Sequence, residues 1–153
     1  MNSQILITGI AGFLGTNLAL RLLQNGQRVL GIDDLCTGSS KNLALLKKHP
    51  AFSFIHKDIC SPIVLPMPIK QIYNLACPAS PPKKKKIPLH TLKTCSIGIF
   101  NLLDLAKQHK ADFLQASTSE VYGDPEVSPQ SETYWGRVNP VGPRACYDEG
   151  KRF

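Results

Sequence analysis

The chain has 153 residues, of which 42% are hydrophobic, enough for one domain with a proper core. No apolar stretch is long enough to span a membrane, and Met1-Asn2-Ser3-Gln4 shows neither a basic n-region nor a cleavage pattern, so no membrane protein and no signal peptide is read. The 18 basic and 11 acidic residues give a formal charge of +7, and the five cysteines, odd in number and without Cys-x-x-Cys spacing, argue against a disulfide framework or zinc motif and fit a reducing cytoplasm.

Ile5-Leu6-Ile7-Thr8 predicts a strand buried on both faces. Phe13, Leu14, Leu18 and Leu22 recur at helical spacing, and Asn25-Gly26 stops that helix. Arg28–Ile32 reads as a second strand ending at Asp33, Lys41–Lys48 as a short helix, Phe52–His56 as a third strand and Gln71–Ala76 as a fourth. The span Leu89–His109 predicts one long amphipathic helix, a candidate homodimer surface. Asp112–Ala116 is a fifth strand, residues 123–143 a long loop, and a last helix begins near Arg144 or Ala145. Strands alternating with helices imply an α/β fold, a doubly wound parallel sheet of the Rossmann type with about five strands.

Two motifs carry chemistry. Gly9, Gly12 and Gly15 sit between a strand and a helix, where glycines allow a tight turn, close approach of backbone N–H groups to a pyrophosphate, and close packing of the helix. Asp33 ends the second strand, where a carboxylate accepts from a ribose 2′-hydroxyl and repels a 2′-phosphate, favouring NAD over NADP; Asp34 shares the candidacy. The second motif is Ser117-Thr118-Ser119-Glu120 after the fifth strand, with Tyr147 and Lys151 four residues apart on one helix face. A lysine there is expected to lower the tyrosine pKa and make the phenol a usable base, with Thr118 holding the substrate alcohol.

Other residues have competing readings. Asp58 follows the third strand and either accepts from an adenine amino group or is an exposed loop acid. Cys77 follows the fourth strand as a small residue beside a cofactor rather than a nucleophile. Glu120 is a surface glutamate or, by its place at a strand's carboxyl end, a ligand-site residue. The run Lys83–Lys86 reads first as a solvated loop, then as an attractor for an anionic substrate; nucleic acid ranks last because no aromatics interleave the lysines. His49, His56, His90 and His109 form no ligand-like pattern, so no metal is expected.

These residues together resemble the extended short-chain dehydrogenase/reductase family of nucleotide-sugar enzymes, from Ile5 to Arg152. Pro78-Ala79-Ser80-Pro81 and Glu132-Thr133-Tyr134-Trp135-Gly136 resemble the UDP-glucuronate decarboxylase subgroup in particular. The resemblance implies NAD contacts at Gly12, Phe13, Leu14, Asp33, Asp34, Thr37, Gly38, Asp58, Ile59, Leu75, Cys77, Thr94, Tyr147 and Lys151, and a nucleotide sugar at Ile63, Val64, Lys93, Asn101 and Lys107. Catalysis would rest on Thr118, Glu120 and Tyr147 with Lys151 in support. The implied reaction is decarboxylation of UDP-glucuronate to UDP-xylose through a 4-keto sugar.

A nucleotide-sugar 4,6-dehydratase or 4-epimerase is the sibling reading; the dehydratase pattern normally has an acid where Ser119 stands. A non-catalytic NAD-binding remnant or interaction module is the reading from another class. Ile10 stands where the family usually has glycine, and Cys95 where it usually has asparagine. The resemblance further implies that residues 1–153 are a partial NAD-binding domain without the C-terminal nucleotide-sugar domain. The chain alone is then expected to bind NAD weakly and turn nothing over, with residues 144–153 frayed.

Overall fold

The computed structural model describes residues 4–80 and 86–153; Pro81, Pro82 and the first three lysines of the basic run lie outside them. Strand β1 (Gln4–Thr8) is buried along its whole length. It pairs in parallel with β2 (Val29–Asp33) on one side and β4 (Ile69–Asn74) on the other. β3 (Phe52–His56) and β5 (Asp112–Gln115) complete a five-stranded parallel sheet in the order β3-β2-β1-β4-β5.

Side-chain alternation divides the core. Ile5, Ile7 and Val29 point to one face, where Ala19 and Leu23 of helix α1 (Phe13–Gln24) and Leu46 of α2 (Ser40–Leu46) cover them. Leu6, Leu30, Ile32 and Ile72 point to the other, against Leu102 and Leu105. Burial on both faces is what a parallel sheet requires, and it explains the unbroken apolar run in β1. Ile10, fully buried, lies over the middle of β2: a Cβ added to Gly31 would come within 2.6 Å of its side chain.

The predicted single helix over 89–109 is two helices, α3 (Pro88–Cys95) and α4 (Ile97–His109). Ser96 separates them at φ −117°, ψ −77°, and its hydroxyl donates back to the Leu92 carbonyl at 2.8 Å. The break lets α4 approach the loop after β3 so closely that a Cβ on Gly98 would meet Ile59 at 2.6 Å.

After β5 a 3₁₀ turn (Ser119–Tyr122) leads into the long segment 123–143, pinned by the Gly123–Arg137 bridge. Helix α5 (Ala145–Arg152) is formed and docked, not frayed. Its Gly150 lies on α3, where an added Cβ would be 3.0 Å from Cys95 Cβ, and Tyr147 is buried. That close, glycine-permitted contact supplies the tertiary packing a two-turn helix lacks on its own.

Candidate active site at the carboxyl ends of the strands

The turn after β1 is built by what its glycines lack. Gly9 has φ +67°, and a Cβ there would stand 2.6 Å from the Leu75 carbonyl oxygen after β4. A Cβ on Gly15 would stand 2.3 Å from the Gly9 carbonyl oxygen, so only glycine lets α1 sit this close to the turn. Gly12 is the N-cap residue of α1, without a side-chain cap. The first-turn N–H groups of a helix have no intrahelical partners and favour an anion.

Asp33 closes this turn from β2. Its Oδ2 accepts from the Ala11 N–H at 2.9 Å and its Oδ1 from the Leu35 N–H at 2.8 Å. Burial raises its pKa above the ordinary aspartate value, against the lowering by those two bonds. Between the two loops opens a cleft whose wall includes Gly9, Gly12, Asp33, Asp34, Thr37, Gly38, Asp58, Ile59, Leu75, Cys77 and Thr94. The motifs and the resemblance together placed these residues at the cofactor; Ile32, Cys36, Lys57, Ala76, Pro78 and His90, which also line the cleft, were not among the expected residues. Phe13 and Leu14, in the first turn of α1, are exposed.

At the cleft mouth Asp34 meets His90 of α3 at 3.0 Å. Cys36 lies beside them, its thiol pushed up to about 12 by burial and by Asp34. Asp58 caps its own turn, accepting from the Cys60 N–H at 2.8 Å.

Tyr147 and Lys151 do lie together with Thr118, but not as the sequence suggested. Lys151 Nζ donates to the Ala116 carbonyl at 2.8 Å. The Tyr147 pKa is raised, not lowered: burial dominates, and Cys77, Cys95 and Asp148 add to it against a lowering hydrogen bond with Thr118. Thr118 Oγ1 also accepts the Glu120 N–H at 3.2 Å, so one hydroxyl ties the 3₁₀ turn to Tyr147. The Glu120 carboxylate is ion-paired with Arg144 at the start of α5.

The five residues expected at the sugar are not gathered in the cleft. Ile63 is a core residue under α4, 7% exposed. Asn101 donates to the Ile59 carbonyl at 2.7 Å, serving the loop after β3. Val64, Lys93 and Lys107 are exposed at separate places.

Two features were not legible in the sequence. Cys77 Sγ and Cys95 Sγ are 3.2 Å apart, which joins the cleft wall to the α3 surface under Gly150. A hydrogen-bonded relay also crosses the strand ends: Thr8 Oγ1 donates to Asn74 Oδ1 at 2.6 Å, Asn74 Nδ2 to Gln115 Oε1 at 2.7 Å, and Gln115 Nε2 to the Ala116 carbonyl at 3.1 Å. The last acceptor is the one Lys151 uses.

The family model described as GDP-mannose 4,6 dehydratase matches residues 6–153. The chain belongs to this family of extended short-chain dehydrogenase/reductases. It is 53% identical over 149 residues to UDP-glucuronic acid decarboxylase 1 of Xenopus tropicalis, covering 97% of this chain and 35% of the relative. The family fold is shared with UDP-glucose 4-epimerase of Thermotoga maritima, solved with UDP-glucose (TM-score 0.82, 27% identity, 97% of this chain, 48% of that one). It is shared too with TunA, an NAD-dependent NDP-hexosamine 5,6-dehydratase (TM-score 0.73, 28% identity, 98% and 46%). The chain spans about a third of the length of the first curated relatives it matches.

Proposed function

We propose that residues 1–153 are the NAD-binding domain of a UDP-glucuronate decarboxylase, completed by a separate nucleotide-sugar domain. The observation that carries this reading is the 53% identity to a UDP-glucuronic acid decarboxylase across 97% of the chain; the family-model match over residues 6–153 includes Thr118, Tyr147 and Lys151.

The residues present fit NAD. The glycine turn that a Cβ would fill lies beside the start of α1, suited to a pyrophosphate. Asp33, with each oxygen holding one N–H, keeps a second lone pair on each for ribose hydroxyls. When bound, NAD supplies a two-electron acceptor that is restored at the end of the cycle.

The chain's own groups handle protons and position. Tyr147, as phenolate, takes the proton of the sugar 4-hydroxyl, and Thr118 fixes that phenol oxygen. The 4-keto sugar is a β-keto acid, so carbon dioxide leaves from C5 with its electron pair delocalised into an enolate, which is then protonated. Burial keeps Tyr147 neutral in the chain as described, so base strength must come from the completed site. Glu120, ion-paired with Arg144, positions the turn that carries Thr118.

The exposed apolar residues Leu92 of α3 and Phe100 and Leu103 of α4 support pairing of two copies through this face. The five cysteines, none in a disulfide among the described residues, fit a cytoplasmic setting.

The test is a chimera in which residues 1–153 replace the matching segment of the Xenopus tropicalis relative. Incubated with NAD and UDP-glucuronate, it is expected to release carbon dioxide and yield UDP-xylose by mass spectrometry. A product that keeps the carboxyl carbon would transfer the assignment to dehydratase or epimerase chemistry. Failure to bind NAD at all would favour a non-catalytic remnant.

A further inference from the structure

The mouth of the cleft holds a cluster of three metal-ligating side chains, one of which, Asp34, is also a candidate cofactor contact. Asp34 and Cys36 come from the loop after β2, and His90 from the first turn of α3. His90 Nε2 is 3.0 Å from Asp34 Oδ2 and 3.7 Å from Cys36 Sγ, and all three donor atoms lie within 4.8 Å of one another. A tetrahedral zinc ion with bonds of about 2.0–2.3 Å holds neighbouring donors about 3.3–3.8 Å apart, so the trio needs shifts of roughly an ångström or less to close on one.

A metal-bound imidazole ordinarily turns its other ring nitrogen to a carboxylate; Asp58 Oδ2 stands 3.9 Å from His90 Nδ1, beyond hydrogen-bond distance, and would have to move closer to serve so. The second oxygen of Asp34 is already held, accepting the Cys36 N–H at 3.0 Å. The donor set of one carboxylate, one imidazole and one thiol selects zinc or cobalt over magnesium or calcium, which take oxygen alone.

We propose that Asp34, Cys36 and His90 form a three-ligand site for a transition-metal dication of the zinc class, open at its fourth position. The proposal stands on donor geometry, and because all three residues line the cleft, a metal and a cofactor at its mouth would compete. A metal there would join the loop after β2 to α3, two segments more than 50 residues apart in the chain, across the cleft mouth.

Cobalt(II) titration of the reduced chain tests it, because a thiolate ligand gives a charge-transfer band in the near ultraviolet. The band is expected to saturate at one metal per chain and to vanish in Cys36→Ser. His90→Ala and Asp34→Asn should each weaken binding at least ten-fold. Zinc should raise the melting temperature of the unmodified chain and not of Cys36→Ser, since it binds the folded arrangement. Cys36 as a whole is exposed at the cleft mouth although its thiol is partly desolvated there, so Cys36→Ser removes no core packing. No band, or a band that survives Cys36→Ser, would overturn the site.

Discussion

The two ends of the site are built on different principles. The cleft end is made by backbone: Gly9 and Gly15 let main chain approach main chain, and the Ala11 and Leu35 N–H groups fix Asp33. The Tyr147–Lys151 end is made by side chains reaching across elements, with Thr118 holding Tyr147 and Lys151 borrowing the Ala116 carbonyl. A backbone-built binding site tolerates almost no change at the glycines and much elsewhere. A side-chain-built site distributes its dependence over residues such as Asn74 and Gln115 that touch nothing chemical. The relay from Thr8 to Ala116 is where the two halves meet.

The sharpest way to break the contrast is at Gly15. Gly15→Val would force a side chain into the Gly9 carbonyl and should cost about 3 kcal/mol, read as a lower urea midpoint, with no neighbouring side chain able to yield. A stability loss under about 1 kcal/mol would mean that the turn adjusts and is not fixed by main-chain contact.

Next comes the relay. Gln115→Leu leaves the buried Asn74 amide without its acceptor and should cost about 2 kcal/mol. It should also loosen α5, seen as faster amide exchange at residues 147–151. Exchange that speeds up equally in α1 would show that the halves are not separable.

Tyr147→Phe is expected to cost about 1 kcal/mol near neutral pH through the lost Thr118 hydrogen bond. The sign of its pH dependence follows from the raised folded-state pKa. The stability tied to the neutral phenol is fully present below the unfolded pKa of about 10 and is lost as pH rises through the higher folded value. The gap between the two proteins should therefore shrink above pH 10, measured by denaturant midpoints across the alkaline range. A constant gap would place the phenol's ionisation outside the folding equilibrium.

The smallest effect belongs to Arg144→Gln. Its ion pair with Glu120 is partly exposed, and such pairs contribute about 0.5 kcal/mol, falling with added salt. A loss above 2 kcal/mol would show Glu120 to be effectively desolvated.

Much of the fold was legible because parallel strands announce themselves as short apolar runs, and Ile5–Thr8, Phe52–His56 and the glycine turn lie where the residues put them. The break at Ser96 was not, because it answers to Gly98 seating on Ile59, a contact invisible in local periodicity. The same limit hid Asp34 with His90 and Cys77 with Cys95, whose partners are brought together only by the sheet order. Spacing puts Lys151 on the same helix face as Tyr147 but does not reveal that its ammonium donates to the Ala116 carbonyl, nor how far burial raises the Tyr147 pKa.

The seating of Ile10 over Gly31 constrains history as well as packing. An isoleucine placed at position 10 above a strand residue with any Cβ would be overpacked by roughly 1–3 kcal/mol, a large part of a small domain's margin. Glycine at position 31 first costs only the milder penalty of an unfilled strand position. The accessible order of substitution is therefore glycine before isoleucine. Once both are in place, the strand position is locked: restoring a side chain at 31 is open only to a lineage that first gives up Ile10.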